Sequence, residues 1–231
     1  MYGFGFYRFD GTYILVLIGV VLSMLASSKV KSTFNKYSRV RSMAGITGAE
    51  AARRMLDANG CQNVGIKSIG GTLTDNYNPT DNNLYLSRDN QYGGSVASVA
   101  VACHEAGHAA QHEQGYTMMK LRSALVPVVN LTQSVWTIVF ILGVALNLAG
   151  LTTLAIWLFS FSVLFQVVTL PVEIDASRRG VRYIQELGMS AQQVRGAKKV
   201  LTAAALTYVA AALSSVIQLL YLLARTSRRN D

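Results

Sequence analysis

VAVACHEAGHAAQH, residues 99–112, sets His104 and His108 four positions apart with Glu105 beside the first. Positions i and i+4 lie on one face of a helix, and the flanks read as helix: Ser95 can cap it, VASVAVA follows, and no proline interrupts. Two imidazoles so placed can grip one divalent ion, and Glu105 then reaches the edge of the site where an attacking water would sit. This spacing is the HExxH arrangement of zinc hydrolases, so the expectation is Zn2+ on His104 and His108 with Glu105 as general base. A polar helix face without metal is the plain competing reading; against it, all three histidines of the chain fall within nine residues. His112 lies about 12 Å along the axis from His104, too far to share the ion with both others. A further histidine ligand at 114 would mark another zinc class, but Gln114 stands there, so His112 is expected to back the site or to face solvent.

Downstream of Arg122 no charge occurs until Glu173. That stretch divides into two spans, 124–146 and 151–170, joined by a tight turn at 147–150. A hairpin returns the chain to the side it left, which brings Glu173 out on the same face as His104. Residues 200–224 form another uncharged run, and 12–28, about 25 Å long as a helix, is marginally enough to cross a bilayer. Composition agrees: 14% of residues are charged, against about 25% in soluble domains, and mean hydropathy is +0.31. The expected fold is mainly α and membrane-bound, about four transmembrane helices with a small cytosolic α+β zincin-like portion around the HExxH helix. It is read as one domain, 1–231, with spans at 12–28, 124–146, 151–170 and 200–224, a soluble portion at 29–122, and a juxtamembrane helix at 171–199 carrying the third ligand.

A cleaved signal peptide is the alternative for 12–28. The leading MYGFGFYRFD holds one arginine and one aspartate, whereas Lys29, Lys31, Lys36, Arg39 and Arg41 follow the apolar run, a charge order that suits an uncleaved anchor with its amino terminus outside. Basic residues number one before the first span, eleven in 29–122, none in the hairpin turn and six in 171–199, which puts both site-bearing portions in the cytosol. Arg225, Arg228 and Arg229 disagree, because four full spans would leave them outside; either the last segment does not cross or late charges act weakly. The net charge of +9 sits beside apolar segments, where it faces lipid headgroups, and no aromatic-and-glycine signature supports nucleic acid. Cys61 and Cys103 form no framework, and Cys103, about 100° around the helix from His104, reads as a packed thiol.

Within the soluble portion, Thr47 to Glu50 is a capping box opening a helix, AEAARRMLDAN, that stops at Gly60. Arg53 and Arg54 read as its solvated or lipid-facing side. VGIKSI and NLYLS read as strands around the turn-rich LTDNYNPTD. NLYLS is either a strand that pairs with substrate backbone or half of a structural hairpin. Neither an internal repeat nor a low-complexity linker is present.

A catalytic zinc usually takes three protein ligands and water. After the metal helix only Glu173, Asp175, Glu186 and Asp231 carry carboxylates, and the first two leave the membrane on the metal side. On a helix through PVEIDASRRGVRYIQEL they point about 200° apart, so both cannot face the ion. Glu173 shares its face with Ala176, Ser177 and Gly180, small enough for close helix approach, whereas Asp175 has Arg178 and Arg179 at i+3 and i+4. Glu173 is the expected ligand and Asp175 a supporting or ion-paired acid, with their exchange as the alternative; a plain juxtamembrane charge cluster is the reading without metal.

FNKYSRVRSMAGITGAEAARRMLDANG, LTDNYNP, LYLS, HEAGHAAQH, LRSALVPV and LPVEIDASRR together resemble the YugP-like membrane zinc metallopeptidases, small bacterial membrane proteins, over about residues 34 to 220. The resemblance implies a peptidase-type zinc site at His104 and His108, Glu105 as catalytic residue, a further acid from VEIDAS, a multi-pass place in the bacterial cell membrane, and a role in quality control of membrane proteins. More distantly the chain is similar to HtpX-like and CAAX-processing gluzincins, whose third ligand is the first glutamate of an ExxAD-like stretch. Setting their alanine on Ala176 selects Glu173 and leaves Ser177 where they carry aspartate, so the residue that orients the histidine is unassigned. Where the family usually has LTDHYDP, Asn76 and Asn78 replace the histidine and aspartate, which argues either that neither position is an essential ligand or that this member is impaired.

The expected chemistry is hydrolysis of peptide bonds, in peptides or membrane proteins, with Glu105 moving the proton. No histidine follows His112, so Arg178, Arg179 and Tyr183 are the candidates for stabilising the oxyanion. The alternative function is a non-catalytic scaffold or binding subunit with a vestigial or structural zinc site; a transporter is excluded by spans without Asp, Glu, Lys or Arg. Partners expected besides substrate are the lipid bilayer and either a homo-oligomer or a stomatin- or prohibitin-like scaffold.

Overall fold

Small side chains decide how the centre of the molecule is built. The HExxH helix, α4 (Val96–Glu113), is buried on nearly all sides, which a helix tolerates only if its neighbours come close; Ala97, Ala100, Ala102, Ala106, Ala109 and Ala110 allow that. Its start is capped as the sequence predicts, the Ser95 side chain accepting from the Ser98 N–H at 3.0 Å. The computed structural model describes residues 12–230, and the leading segment MYGFGFYRFD lies outside them.

Before α4 come α1 (Thr12–Tyr37), α2 (Gly48–Ala58), β1 (Gly65–Ile69), β2 (Asn76–Asn78), β3 (Asn83–Ser87) and α3 (Arg88–Tyr92); after it come α5 (Thr117–Ala145), α6 (Ala149–Glu186) and α7 (Ala191–Asn230). Both halves of the Thr47–Glu50 capping box form, and α2 ends before Gly60, whose φ of +79° favours a residue without Cβ. Arg53 corrects the expectation of a merely solvated side chain: its guanidinium donates to the Val64 and Cys61 carbonyls at 2.7 and 2.9 Å, tying the end of α2 to the entry of β1.

VGIKSI and NLYLS do form strands, but not as a hairpin. They pair in parallel, and β2, inside the turn-rich LTDNYNPTD, adds antiparallel to the other side of β3. The order β1-β3-β2 makes NLYLS the middle strand, so both of its edges are taken and it cannot receive a substrate strand. The edge beside the metal helix is β2, which a single buried side chain, Tyr77, holds down.

The protein is mainly α; among the described residues four helices, α1, α5, α6 and α7, are long and apolar enough to cross a membrane, and one small sheet forms. Their exposed faces carry large apolar side chains, Ile14, Leu17, Met24, Leu131, Ile138 and Trp157 among them, a distribution that lipid accounts for and water does not. Each helix outruns the apolar stretch that marks it: α5 begins at Thr117 and α6 runs unbroken through Pro171 to Glu186, so the acidic segment after the third span continues that span. α5 and α6 join through Asn147 at φ +56°.

α7 lies antiparallel along α1. A Cβ on Gly19 would sit 3.1 Å from Ser214 Oγ and one on Gly196 would sit 2.6 Å from the Tyr37 ring, while Ser214 donates to the Gly19 carbonyl at 2.9 Å. The last segment is therefore as long a span as the others, and the end of α7 lies by the start of α1.

Candidate metal centre

α4 and α6 cross at backbone contact. A Cβ added to Gly107 would lie 2.9 Å from the Ala176 carbonyl, and one added to Gly180 would lie 3.2 Å from the His104 nitrogen. This is the close approach that the small residues after Glu173 suggest, and it lays the Glu173 carboxylate over the HExxH face. Glu173 Oε2 is 3.2 Å from His104 Nε2 and 3.5 Å from His108 Nε2, and the ligand atoms of the three residues lie within 4.8 Å of one another. The two rings stand nearly perpendicular, at 81°, with centroids 4.7 Å apart.

Hydrogen bonds behind the rings fix which nitrogen is free. The Gln111 amide donates to the Val172 carbonyl at 2.8 Å and to Asp175 Oδ2 at 2.9 Å, so its oxygen is the atom turned to His108 Nδ1, 3.0 Å away. An amide oxygen only accepts; His108 thus carries a proton on Nδ1, and Nε2 is the nitrogen turned to the buried Glu173 carboxylate. A second-line bond of this kind behind Nδ1 is how metal-binding histidines are oriented, leaving Nε2 for the ion. The donor set, two imidazoles and one carboxylate, is the one catalytic zinc takes. On His104 the partner of Nδ1 is the Ser177 hydroxyl at 3.2 Å, so serine occupies the orienting place that aspartate fills in the ExxAD-like stretch.

Asp175 lies behind His108 rather than with the three. It accepts from Gln111 and Arg179, and Arg179 reaches on to Gln114 Oε1 at 2.6 Å. Glu105 is buried beside His104, and the Tyr77 backbone N–H donates to it. Burial pushes its carboxyl up to about 7; His104 opposes the rise, and the Glu173 and Asp75 charges add to it. His112 backs the site through β2, its Nδ1 lying 2.9 Å from the Tyr77 hydroxyl, which itself lies 2.9 Å from Asn82 Oδ1 as donor. Asn76 and Asn78 shape turns, bonding to the Thr74 carbonyl and the Thr80 N–H.

The three residues expected to face an oxyanion are not brought to the group. Arg179 is engaged as described, Arg178 lines an exposed groove, and Tyr183 has Cys103, Arg54, Glu186 and Asp57 as its ionisable neighbours. Tyr208 of α7 is there instead, with Glu173, Glu105 and Arg122 as its ionisable neighbours. Sequence reading passed over it because a tyrosine carries no charge to interrupt a span. The available signal was that a phenol eight residues into an apolar run needs a partner.

Residues 12–227 match the model of a family described as "Putative neutral zinc metallopeptidase". The chain is also 46% identical over 207 residues, 89% of its own length and 92% of the other's, to "Putative membrane protease YugP" of Bacillus subtilis (strain 168). No solved structure matches it. Likeness that runs from the first membrane helix through the metal helix to the last is membership: the chain belongs to this zinc metallopeptidase family and is a membrane protease of that kind.

Proposed function

We propose that the protein hydrolyses peptide bonds of membrane proteins or peptides at the cytosolic boundary of the bilayer, with His104, His108 and Glu173 holding zinc. The observation that carries the reading is the convergence of ligand atoms from His104, His108 and Glu173 within 4.8 Å of one another, the donor set that catalytic zinc takes. When bound there, zinc polarises the scissile carbonyl and makes water a nucleophile at neutral pH. Glu105 takes a proton from the attacking water and passes it to the leaving amine. Substrate backbone runs along the outer edge of β2, whose Tyr77 peptide already faces Glu105. Eleven basic residues in 29–122 and none in the hairpin turn support a cytosolic site.

Tyr208 takes the role of oxyanion donor, because Glu173 and Glu105 are the acidic groups it faces. Tyr208→Phe is expected to lower kcat by about 10²-fold, the loss typical of one such donor, with KM and zinc content unchanged. Falling zinc content in that variant would instead make Tyr208 a support for Glu173. The proposal as a whole is tested with detergent-solubilised protein and casein: chelation should stop cleavage and added zinc restore it. Cleavage that survives complete zinc removal overturns it. A structural zinc site would show four protein ligands; three gather among the described residues.

A further inference from the structure

A cavity of about 650 Å³ opens between α6 and α7. Arg178 and Arg182 enter it from α6, Arg195 and Lys198 from α7. All four are exposed, no acidic residue lines the cavity, and among the described residues none of the four has an ion-pair partner. Four like charges left facing one another across a concavity repel, and an anion removes that repulsion.

The groove is graded along its length. Arg182 and Arg195 lie toward the ends of α6 and α7 that leave the membrane, while Ile174 and Leu201 line the part nearer the spans. One end suits a phosphate and the other suits hydrocarbon, and that pairing distinguishes a lipid from a soluble phosphate ester. Ser177 belongs to the same wall while its hydroxyl touches His104, so whatever fills the groove lies directly behind a proposed zinc ligand.

We propose that this groove is a binding site for one anionic phospholipid, its phosphate held by Arg178, Arg182, Arg195 and Lys198 and its acyl chains laid toward Ile174 and Leu201. The basic side chains then form a defined site rather than a diffuse attraction to the membrane surface.

Native mass spectrometry of the full chain in detergent tests it, titrating phosphatidylglycerol, phosphatidylcholine of equal chain length, and glycerol phosphate. Wild-type protein should bind one phosphatidylglycerol at least about tenfold more tightly than either of the others. Converting all four cations to glutamine should lower that affinity at least about tenfold, and Arg195→Gln alone, at an exposed position, about fivefold. A control that changes Lys29, Lys31, Lys36 and Arg39 to glutamine removes the same charge from α1 and its end, and should leave the affinity within about twofold. Equal loss in the control, equal binding of phosphatidylcholine, or an Arg195→Gln protein that binds as wild type each overturns the site. Glycerol phosphate binding as tightly as phosphatidylglycerol overturns the lipid as its occupant.

Discussion

Glu105→Gln protein is expected to purify with its full complement of zinc and to cleave nothing measurable. The substitution keeps size and burial but removes the base, and general acid–base groups contribute about 10²- to 10⁴-fold to such reactions. Glu105 is not one of the three residues whose ligand atoms converge, which is why metal content should hold. Glutamine can still accept from the Tyr77 backbone N–H that now donates to the carboxylate, so the fold around β2 has no reason to move. Elemental analysis and casein cleavage on one preparation read both halves of the expectation. Turnover equal to wild type would remove Glu105 from the mechanism; loss of zinc would make it a ligand.

Glu173→Ala should purify nearly free of zinc, its affinity lowered by more than the factor of about 10 to 100 that loss of a supporting residue brings. Asp175→Ala should fall within that factor, because Asp175 touches Gln111 and Arg179 and reaches His108 only through the amide. The two carboxylates are two residues apart on one helix, so the pair of variants separates direct holding of the ion from support at a distance. Zinc lost from the Asp175 variant alone would reverse the assignment. The Glu173 variant should also keep its helical content, since Ala176 and Gly180, not the carboxylate, carry the crossing with α4.

Much of this architecture was legible in the chain because it rests on local chemistry. Helix caps at Thr47 and Ser95, the shared face of His104 and His108, the four apolar runs and the small face beside Glu173 are all properties of a few consecutive residues. What escaped depends on pairing across the chain. Strand β2 has three residues and a sequence that reads as turn; only the placement of Tyr77 over His112 makes it an edge. NLYLS shows its alternation but not its neighbours, so its central position could not be inferred. Arg53 looked solvated because carbonyl acceptors at residues 61 and 64 leave no mark in a sequence, while Ser177 gains its partner only when α6 crosses α4 and Tyr208 its neighbours only when α7 meets α6.

The unbroken course of α6 has a mechanical consequence. At 38 residues the rod is about 57 Å long, and it is pinned where Ala176 meets Gly107. Bilayers of different thickness tilt such rods, and a swing of about 10° moves the far tip by about 7 Å. Glu173 stands only three positions from the pivot, so the same swing displaces it by less than about 1 Å. Leverage that is large in the hydrocarbon is thus nearly spent at the ion, and the third ligand stays in register while the lipid around it changes.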